Sequence, residues 1–287
     1  MGTHPRPVGP EPDDLRQQLL EEVTRLPVGQ EAGVRLLWML ADDDCDAASI
    51  GHAVETDPAL TLQVMRIANS PFYGLSRQVS SARYAVTVLG TTMVRALAAA
   101  QVFRLNVRDA RSLPPSFWEH SFATAAAAAN LAVGRGVETS DAFSAGMLLD
   151  VGAALLRRND PSRYAVVEQL ARIPDESLID AERRMFAIDH AEVGAFALDR
   201  LHFPRTFCTA VGEHHLLPSF RSSPLARVLF LAELVSHMVD GTPQESPITL
   251  GAAFEYLGEE PAQAELLVER ARETLDSLGP LTDLLAA

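Results

Sequence analysis

The chain has 287 residues, of which 47% are hydrophobic and 22% are charged, and its formal net charge is −14. This composition is typical of a globular chain that buries one large core or two packed halves, and it excludes disorder over most of the length. The acidic balance argues against direct nucleic-acid binding, because negative charge repels phosphates.

All 24 basic residues are Arg and none is Lys, which excludes Schiff-base and phosphate-loop chemistry that depends on Lys. Residues 1–12 lack the apolar segment of a secretory signal. The Ala-rich stretch 122–133 is far shorter than the ~20 apolar residues that span a bilayer. We therefore expect a cytoplasmic protein with no membrane partner.

Apolar residues at helical spacing predict short helices joined by tight turns in the first half of the chain. Residues 1–12 form a flexible leader before them. Asp57 and Pro58 open one of these helices, and Gly90 separates the last two. The predicted helices cover residues 15–26, 34–40, 47–54, 58–68, 82–89 and 91–102.

Longer helices follow a junction at Pro114-Pro115. They are predicted over residues 117–133, 141–156, 164–171, 179–201 and 224–237, with 179–201 as one helix or two and two C-terminal helices after Thr249 and Pro261. No sustained alternating pattern of apolar residues indicates a strand, so the predicted fold class is all-α. Core positions are predicted at Leu60, Val64, Ile67, Leu89, Leu148 and Leu155.

Several sequence strings carry a family resemblance when they are taken in order. They are DPALT at 57–61, IANSPFYG at 67–74, AVTVLG at 85–90, FWEHS at 117–121, AFSAGMLLDVG at 142–152 and the pair His214-His215. Together they resemble the HDOD domain, a helical family related to the HD phosphohydrolases. The resemblance implies an N-terminal helical subdomain over 13–112, a degenerate HD-like half over 113–240 and a C-terminal helical extension over 241–287.

The resemblance also implies a metal site, because HD hydrolases hold divalent metals with a His, a His-Asp doublet, further His residues and a later acid. Such ligands suit a metal that lowers the pKa of a bound water. The doublet His is replaced by Leu149, which has no lone pair. The other matching positions are His120, Asp150, His190, His214, His215 and Glu233.

Two interpretations of these residues stay open. In the first, they are vestigial: His120 and His190 are hydrogen-bonded core residues, and His214 and His215 are one buried and one exposed residue, since neighbours on a helix point about 100° apart. In the second, a residual divalent metal is retained. No Gly-Tyr-Pro follows His215, so the loop that the resemblance links to cyclic-dinucleotide cleavage is absent.

The broken doublet favours a non-catalytic bacterial signalling module, and not an enzyme. It would bind a protein partner or a small regulatory ligand such as a nucleotide, and the resemblance implies cyclic di-GMP or two-component pathways. No cofactor is expected, and candidate ligand or partner contacts are Trp118, Arg66, Arg77 and Asn69. The alternative is a metal-dependent phosphohydrolase acting on a nucleotide or cyclic dinucleotide, with Asp150 bridging the metal.

Overall fold

The structure is a computed structural model, and it describes most of the chain: residues 16–17, 20–22, 31–40, 42, 45–103, 113–173, 176–219, 221–241 and 248–277. The predicted leader over 1–12 and most of the predicted helix over 15–26 lie outside the described residues. Helices without strands make up the secondary structure of the described part, which confirms the all-α prediction.

Four described helices precede the predicted junction: α1 (Glu31–Leu40), α2 (Ala47–Glu55), α3 (Pro58–Ala68) and α4 (Ala82–Val102), with a 3₁₀ turn at Pro71–Tyr73. The Asp57 carboxylate caps α3 by accepting hydrogen bonds from the N–H groups of Ala59 and Leu60. Gly90 has φ +76° and kinks α4 where the sequence predicted a break. Helix α4 packs against α1, α2 and α3.

Ten described helices follow: α5 (Pro115–Ala132), α6 (Thr139–Met147), α7 (Val151–Asn159), α8 (Pro161–Leu170), α9 (Leu178–Phe186), α10 (His190–Arg200), α11 (Arg205–Gly212), α12 (Pro224–Asp240), α13 (Leu250–Tyr256) and α14 (Gln263–Ser277). The Ala-rich α5 packs against α6, α12 and α14. A Cβ on Gly146 would lie 2.7 Å from Cα of Ala125, so α6 and α5 meet backbone to backbone. All six predicted core residues are buried.

The single helix predicted over residues 141–156 is wrong, because the chain turns at residues 148–150 between α6 and α7. The N–H of Leu149 donates to the carbonyl of Gly146 at 3.3 Å, and the N–H of Val151 donates to Leu148 at 3.1 Å. Asp150 takes the N-cap position of α7, but its side chain makes no capping hydrogen bond. The turn frees this carboxylate for other contacts.

Helix α4 is long and apolar enough to cross a membrane by length and composition alone, but 61% of its most apolar window is buried inside the protein. Core helices of water-soluble proteins pass the same test. Helix α4 also packs against α6, so the two predicted subdomains are in contact. Their division at residue 112 falls outside the described residues and stays a prediction.

Candidate metal centre

The structure brings the six predicted metal-site residues into one buried cluster around Asp150. The Oδ1 atom of Asp150 lies 3.6 Å from Nε2 of His190 and 3.6 Å from Nε2 of His214. Its Oδ2 atom lies 3.4 Å from Nε2 of His120. Asp150 therefore joins two groups of side chains, one on each of its oxygens.

Close packing of α7 on α10 sets the distance between Asp150 and His190. A Cβ on Gly152 would lie only 1.9 Å from the carbonyl oxygen of His190 and 2.7 Å from the backbone nitrogen of Gly194. No side chain larger than hydrogen fits there without moving a helix. Gly152 thus holds the start of α7 against the start of α10.

The start of α10 is fixed by Asp189, which accepts a hydrogen bond from the N–H of Glu192 at 2.9 Å. The Arg183 guanidinium donates to the other oxygen of Asp189 at 2.9 Å. Asp189 is a well-formed N-cap, and it makes His190 the first residue of the helix. The Asp-His dipeptide in the sequence thus combines a cap with a functional side chain.

We call His190, His214, His215 and the Oδ1 atom of Asp150 the histidine half of the centre. Nε2 of His190 lies 2.8 Å from Nε2 of His215 and 3.4 Å from Nε2 of His214. His214 is buried and His215 is partly buried, so the interpretation with one exposed histidine is wrong. Burial lowers the pKa of His215 far below its ordinary value, which keeps this ring neutral.

The tautomer of His214 follows from its hydrogen bond to the backbone. Its Nδ1 lies 2.6 Å from the carbonyl oxygen of Val211. A carbonyl oxygen only accepts hydrogen bonds, so Nδ1 carries the proton. In the neutral ring Nε2 then presents a lone pair toward His190 and Asp150.

The tautomer of His190 follows from Glu182, a fully buried residue of α9. Oε2 of Glu182 accepts the backbone N–H of His190 at 2.8 Å and lies 2.7 Å from Nδ1 of the same residue. The Tyr164 hydroxyl donates to Oε1 at 2.9 Å. A carboxylate that accepts these donors also accepts Nδ1–H, and in the neutral ring this leaves the lone pair of His190 on Nε2.

The donor set of the histidine half fits a divalent transition metal. Nε2 of His190, Nε2 of His214 and Oδ1 of Asp150 form a triangle with edges of 3.4, 3.6 and 3.6 Å. When both rings are neutral, all three are acceptors and no hydrogen bond joins them. Ligands about 2.1 Å from a tetrahedral metal lie roughly 3.4 Å apart, which matches these edges. Nε2 of His215 lies at a hydrogen-bonding distance of 2.8 Å from Nε2 of His190, so His215 would have to turn away from His190 to act as a fourth ligand.

The carboxylate half consists of His120, Glu233, His237, Asp240 and the Oδ2 atom of Asp150. Nδ1 of His120 lies 2.7 Å from Oδ2 of Asp240, and its Nε2 lies 3.4 Å from Oε1 of Glu233. Nε2 of His237 lies 3.1 Å from the same oxygen of Glu233. Oε2 of Glu233 is buried and has no hydrogen-bond partner within the described part of the chain.

Charge in the carboxylate half is offset in part by His120 itself. Burial lowers the pKa of His120, but Glu233, Asp240 and Asp150 together raise it well above its ordinary value. For Glu233, burial raises the pKa, but the charges of His120 and His237 outweigh burial and bring the pKa well below its ordinary value. An imidazolium therefore lies among three carboxylates and supplies one of the positive charges that they require.

Four members of this network were missed from the sequence: Tyr164, Glu182, His237 and Asp240. His237 and Asp240 follow Glu233 by four and seven residues, a spacing that puts all three on one face of α12. Glu182 precedes the buried Phe186 by four residues on α9. For the three members on α9 and α12, the available signal was an ionisable residue in phase with an apolar helix face.

The remaining predicted contact residues lie elsewhere in the structure. Asn69 donates to the carbonyls of Met65 and Val79 and accepts the N–H of Val79, so its amide ties the end of α3 to the following loop. Trp118 is buried and packs edge-on against Phe117. Arg66 and Arg77 are exposed. A role for these residues in ligand or partner binding stays a prediction.

Comparison with known proteins gives one family and a set of related folds. A model of the HDOD domain matches residues 26–217. The chain is 22% identical over 276 residues to an uncharacterized protein of Treponema pallidum (strain Nichols), covering 92% of this chain and 51% of that protein. It thus spans about half the length of that relative.

Solved structures with the same fold include a candidate phosphohydrolase from Shewanella amazonensis SB2B, with 23% identity, a TM-score of 0.69 and coverage of 92% of this chain and 98% of that one. A candidate signal transduction protein from Marinobacter aquaeolei VT8 has 20% identity and a TM-score of 0.72, covering 96% and 66%. An HDOD domain protein of unknown function from Geobacter sulfurreducens has 22% identity and a TM-score of 0.66, covering 92% and 97%. At these identities the likeness shows the fold.

Proposed function

The chain belongs to the HDOD domain family, and on that premise we propose that it is a non-catalytic bacterial signalling module. It acts in the cytoplasm by binding a protein partner or a small regulatory ligand such as a nucleotide. The observation that carries this proposal is Leu149, an aliphatic and fully buried residue in the position of the doublet His. The position before Asp150 therefore supplies no imidazole ligand to the centre.

Burial of the centre also supports a role without turnover. Side chains of His214, His190 and Glu233 are 0%, 2% and 9% exposed, respectively. A hydrolase needs a coordination position that is open to its substrate. Side chains covered to this degree leave room for a small ion more readily than for a phosphate ester.

Turnover and binding assays test this proposal directly. Purified protein is incubated with cyclic dinucleotides and with nucleotides in the presence of Mn²⁺ or Fe²⁺, and products are separated by chromatography. We expect no turnover above that of the Asp150→Ala variant. Calorimetric titration with the same compounds then reports ligand binding without reaction. Metal-dependent turnover that disappears in Asp150→Ala would overturn the non-catalytic assignment.

A second candidate function is a metal-dependent phosphohydrolase acting on a nucleotide or cyclic dinucleotide. The observation in its favour is the triangle of acceptors in the histidine half, which fits a divalent cation. His190, His214, His215 and Asp150 would hold that cation, which when bound lowers the pKa of a water molecule to supply a nucleophile. The chain's own residues would fix the ligands and exclude bulk water.

Both functions are compatible with a bound cation, so cation binding is separable from catalysis. We propose that the histidine half holds one divalent transition-metal cation, in place of the cofactor-free state expected from the sequence. The support is the tautomer of His214 and His190, each of which turns an Nε2 lone pair toward Oδ1 of Asp150. Metal content measured on the purified protein tests this point without reference to activity.

A further inference from the structure

Tyr164 and Glu182 belong to none of the motifs described above, yet they make buried polar contacts directly behind His190. We infer that Glu182, held by the Tyr164 hydroxyl, is a positioning residue that fixes His190 as a metal ligand and so sets the affinity of this half for divalent transition-metal cations. The inference rests on the cation-binding proposal above. It adds the residues on which that binding depends.

The hydrogen bonds that stabilise the buried carboxylate of Glu182 come mainly from His190. A buried carboxylate is costly unless it is paired and hydrogen-bonded. The two arginines that follow Glu182 on α9 form ion pairs with other acids: Arg183 pairs with Asp189 at 2.9 Å and Arg184 pairs with Glu176 at 2.9 Å. Of the three contacts to Glu182 described above, two come from His190 and one from Tyr164.

A carboxylate behind a histidine has a known effect on a metal ligand. It fixes the ring orientation, keeps the proton on the nitrogen that faces away from the metal, and raises the basicity of the other nitrogen. Here Oε2 of Glu182 lies 2.7 Å from Nδ1 of His190, while Nε2 of the same ring lies 3.6 Å from Oδ1 of Asp150. A chain of hydrogen bonds therefore runs from Tyr164 through Glu182 to His190, whose Nε2 faces the proposed cation position beside Oδ1 of Asp150.

The chemistry of this arrangement defines the class of ligand. Neutral imidazoles favour transition metals such as Zn²⁺, Co²⁺ or Mn²⁺, whereas Mg²⁺ and Ca²⁺ prefer sites made of oxygen atoms alone. The carboxylate that accepts a hydrogen bond from Nδ1 of His190 makes Nε2 a stronger electron-pair donor to a metal. It therefore increases the preference of the site for transition metals over Mg²⁺ and Ca²⁺. We expect Zn²⁺ and Co²⁺ to bind far more tightly than Mg²⁺.

The test uses the full chain and two variants, Glu182→Gln and Tyr164→Phe. Affinity for Zn²⁺ and Co²⁺ is measured by competition with a chromophoric chelator, and the visible bands of bound Co²⁺ report the coordination geometry. We expect Glu182→Gln to weaken binding about 10- to 100-fold and to change the Co²⁺ bands. Tyr164→Phe keeps the carboxylate but removes one donor, so we expect a smaller loss.

Glu168→Gln is the matched control, because Glu168 is a partly exposed residue of α8 that pairs with Arg157. We expect it to bind Co²⁺ as the unmodified chain does. If Glu182→Gln fails to fold, Tyr164→Phe carries the test, since it leaves the buried carboxylate in place.

The outcomes separate this inference from the proposal beneath it. If the unmodified chain binds Co²⁺ and folded Glu182→Gln gives the same affinity and the same visible bands, the positioning role is overturned while the cation site stands. If the unmodified chain binds neither Zn²⁺ nor Co²⁺, both the cation site and the positioning role are overturned. Loss of stability in the variants with unchanged Co²⁺ bands also contradicts the inference.

Discussion

The two halves of the centre share Asp150 but differ in how their charges are balanced. In the histidine half, the Val211 carbonyl and the Glu182 carboxylate accept hydrogen bonds from the Nδ1–H groups of His214 and His190. In the neutral rings, the Nε2 lone pairs then face each other and Oδ1 of Asp150 with no proton between them. In the carboxylate half, Nδ1 of His120 faces Asp240 and the ring is held charged among acids. Ligand residues alone therefore do not decide whether a site needs a cation, because the groups behind them set the charge.

The largest expected effect comes from separating the helices that form the histidine half. Gly152→Ala places a Cβ against the carbonyl oxygen of His190, so we expect a loss of about 3 kcal/mol or more in unfolding free energy, together with loss of cation binding. Denaturant titration measures the stability. Gly251→Ala on α13 is the control, because its Cβ meets nothing within 4 Å and should stabilise by roughly 0.5–1 kcal/mol. Wild-type stability in Gly152→Ala would show that α7 and α10 are not closely packed.

Removal of one ligand from each half tests the asymmetry itself. We expect His214→Ala to reduce Zn²⁺ affinity roughly 100-fold or more, because it removes a lone pair from the acceptor triangle. His237→Ala in the carboxylate half should change it less than about threefold. Both affinities are measured by chelator competition. Equal losses in the two variants would contradict the distinction between the halves.

A third variant restores an imidazole at the position before Asp150. Leu149→His adds a nitrogen donor beside Asp150, so we expect the number of Zn²⁺ ions bound per chain to rise above that of the unmodified protein. The substitution also buries a polar group, so some loss of stability is expected. Mass spectrometry under native conditions counts the ions. An unchanged count in a folded variant would mean that the position of Leu149 does not face the cation site.

The smallest expected effect is a pH dependence of the metal-free protein. The pKa of His120 is raised in the folded state, so its stabilising contribution is complete below the unfolded value of about 6.5 and is lost as pH rises through the higher folded value. Asp240→Asn removes one of the acids that raise this pKa, so the total decline should be smaller and should end at a lower pH. Unfolding free energies measured across this range check the sign. Identical profiles for the two proteins would contradict the account of His120.

Much of the fold and the predicted ligand set could be read from the sequence, because both depend on local signals. Asp57 and Gly90 mark helix ends by their own chemistry, and the motif strings name His120, Asp150 and His214 by position. The turn at residues 148–150 was missed because Leu148 and Leu149 continue the apolar pattern across it.

Pairings between distant helices could not be predicted in this way. Tyr164 and Glu182 are 18 residues apart on α8 and α9, and His120 and Asp240 are 120 residues apart on α5 and α12. No local pattern links these partners, since each pair forms only when the helices pack. The charge balance that distinguishes the two halves is therefore a property of the tertiary structure.

Metal stoichiometry tests whether the histidine half binds one divalent cation. The protein is purified without chelator or affinity tag, incubated with excess Zn²⁺, desalted and analysed by inductively coupled plasma mass spectrometry beside His214→Ala and Asp150→Ala. We expect one ion per chain in the unmodified protein and none in either variant. Zero ions in the unmodified protein would refute cation binding by the histidine half, and two would show that the carboxylate half also binds a metal.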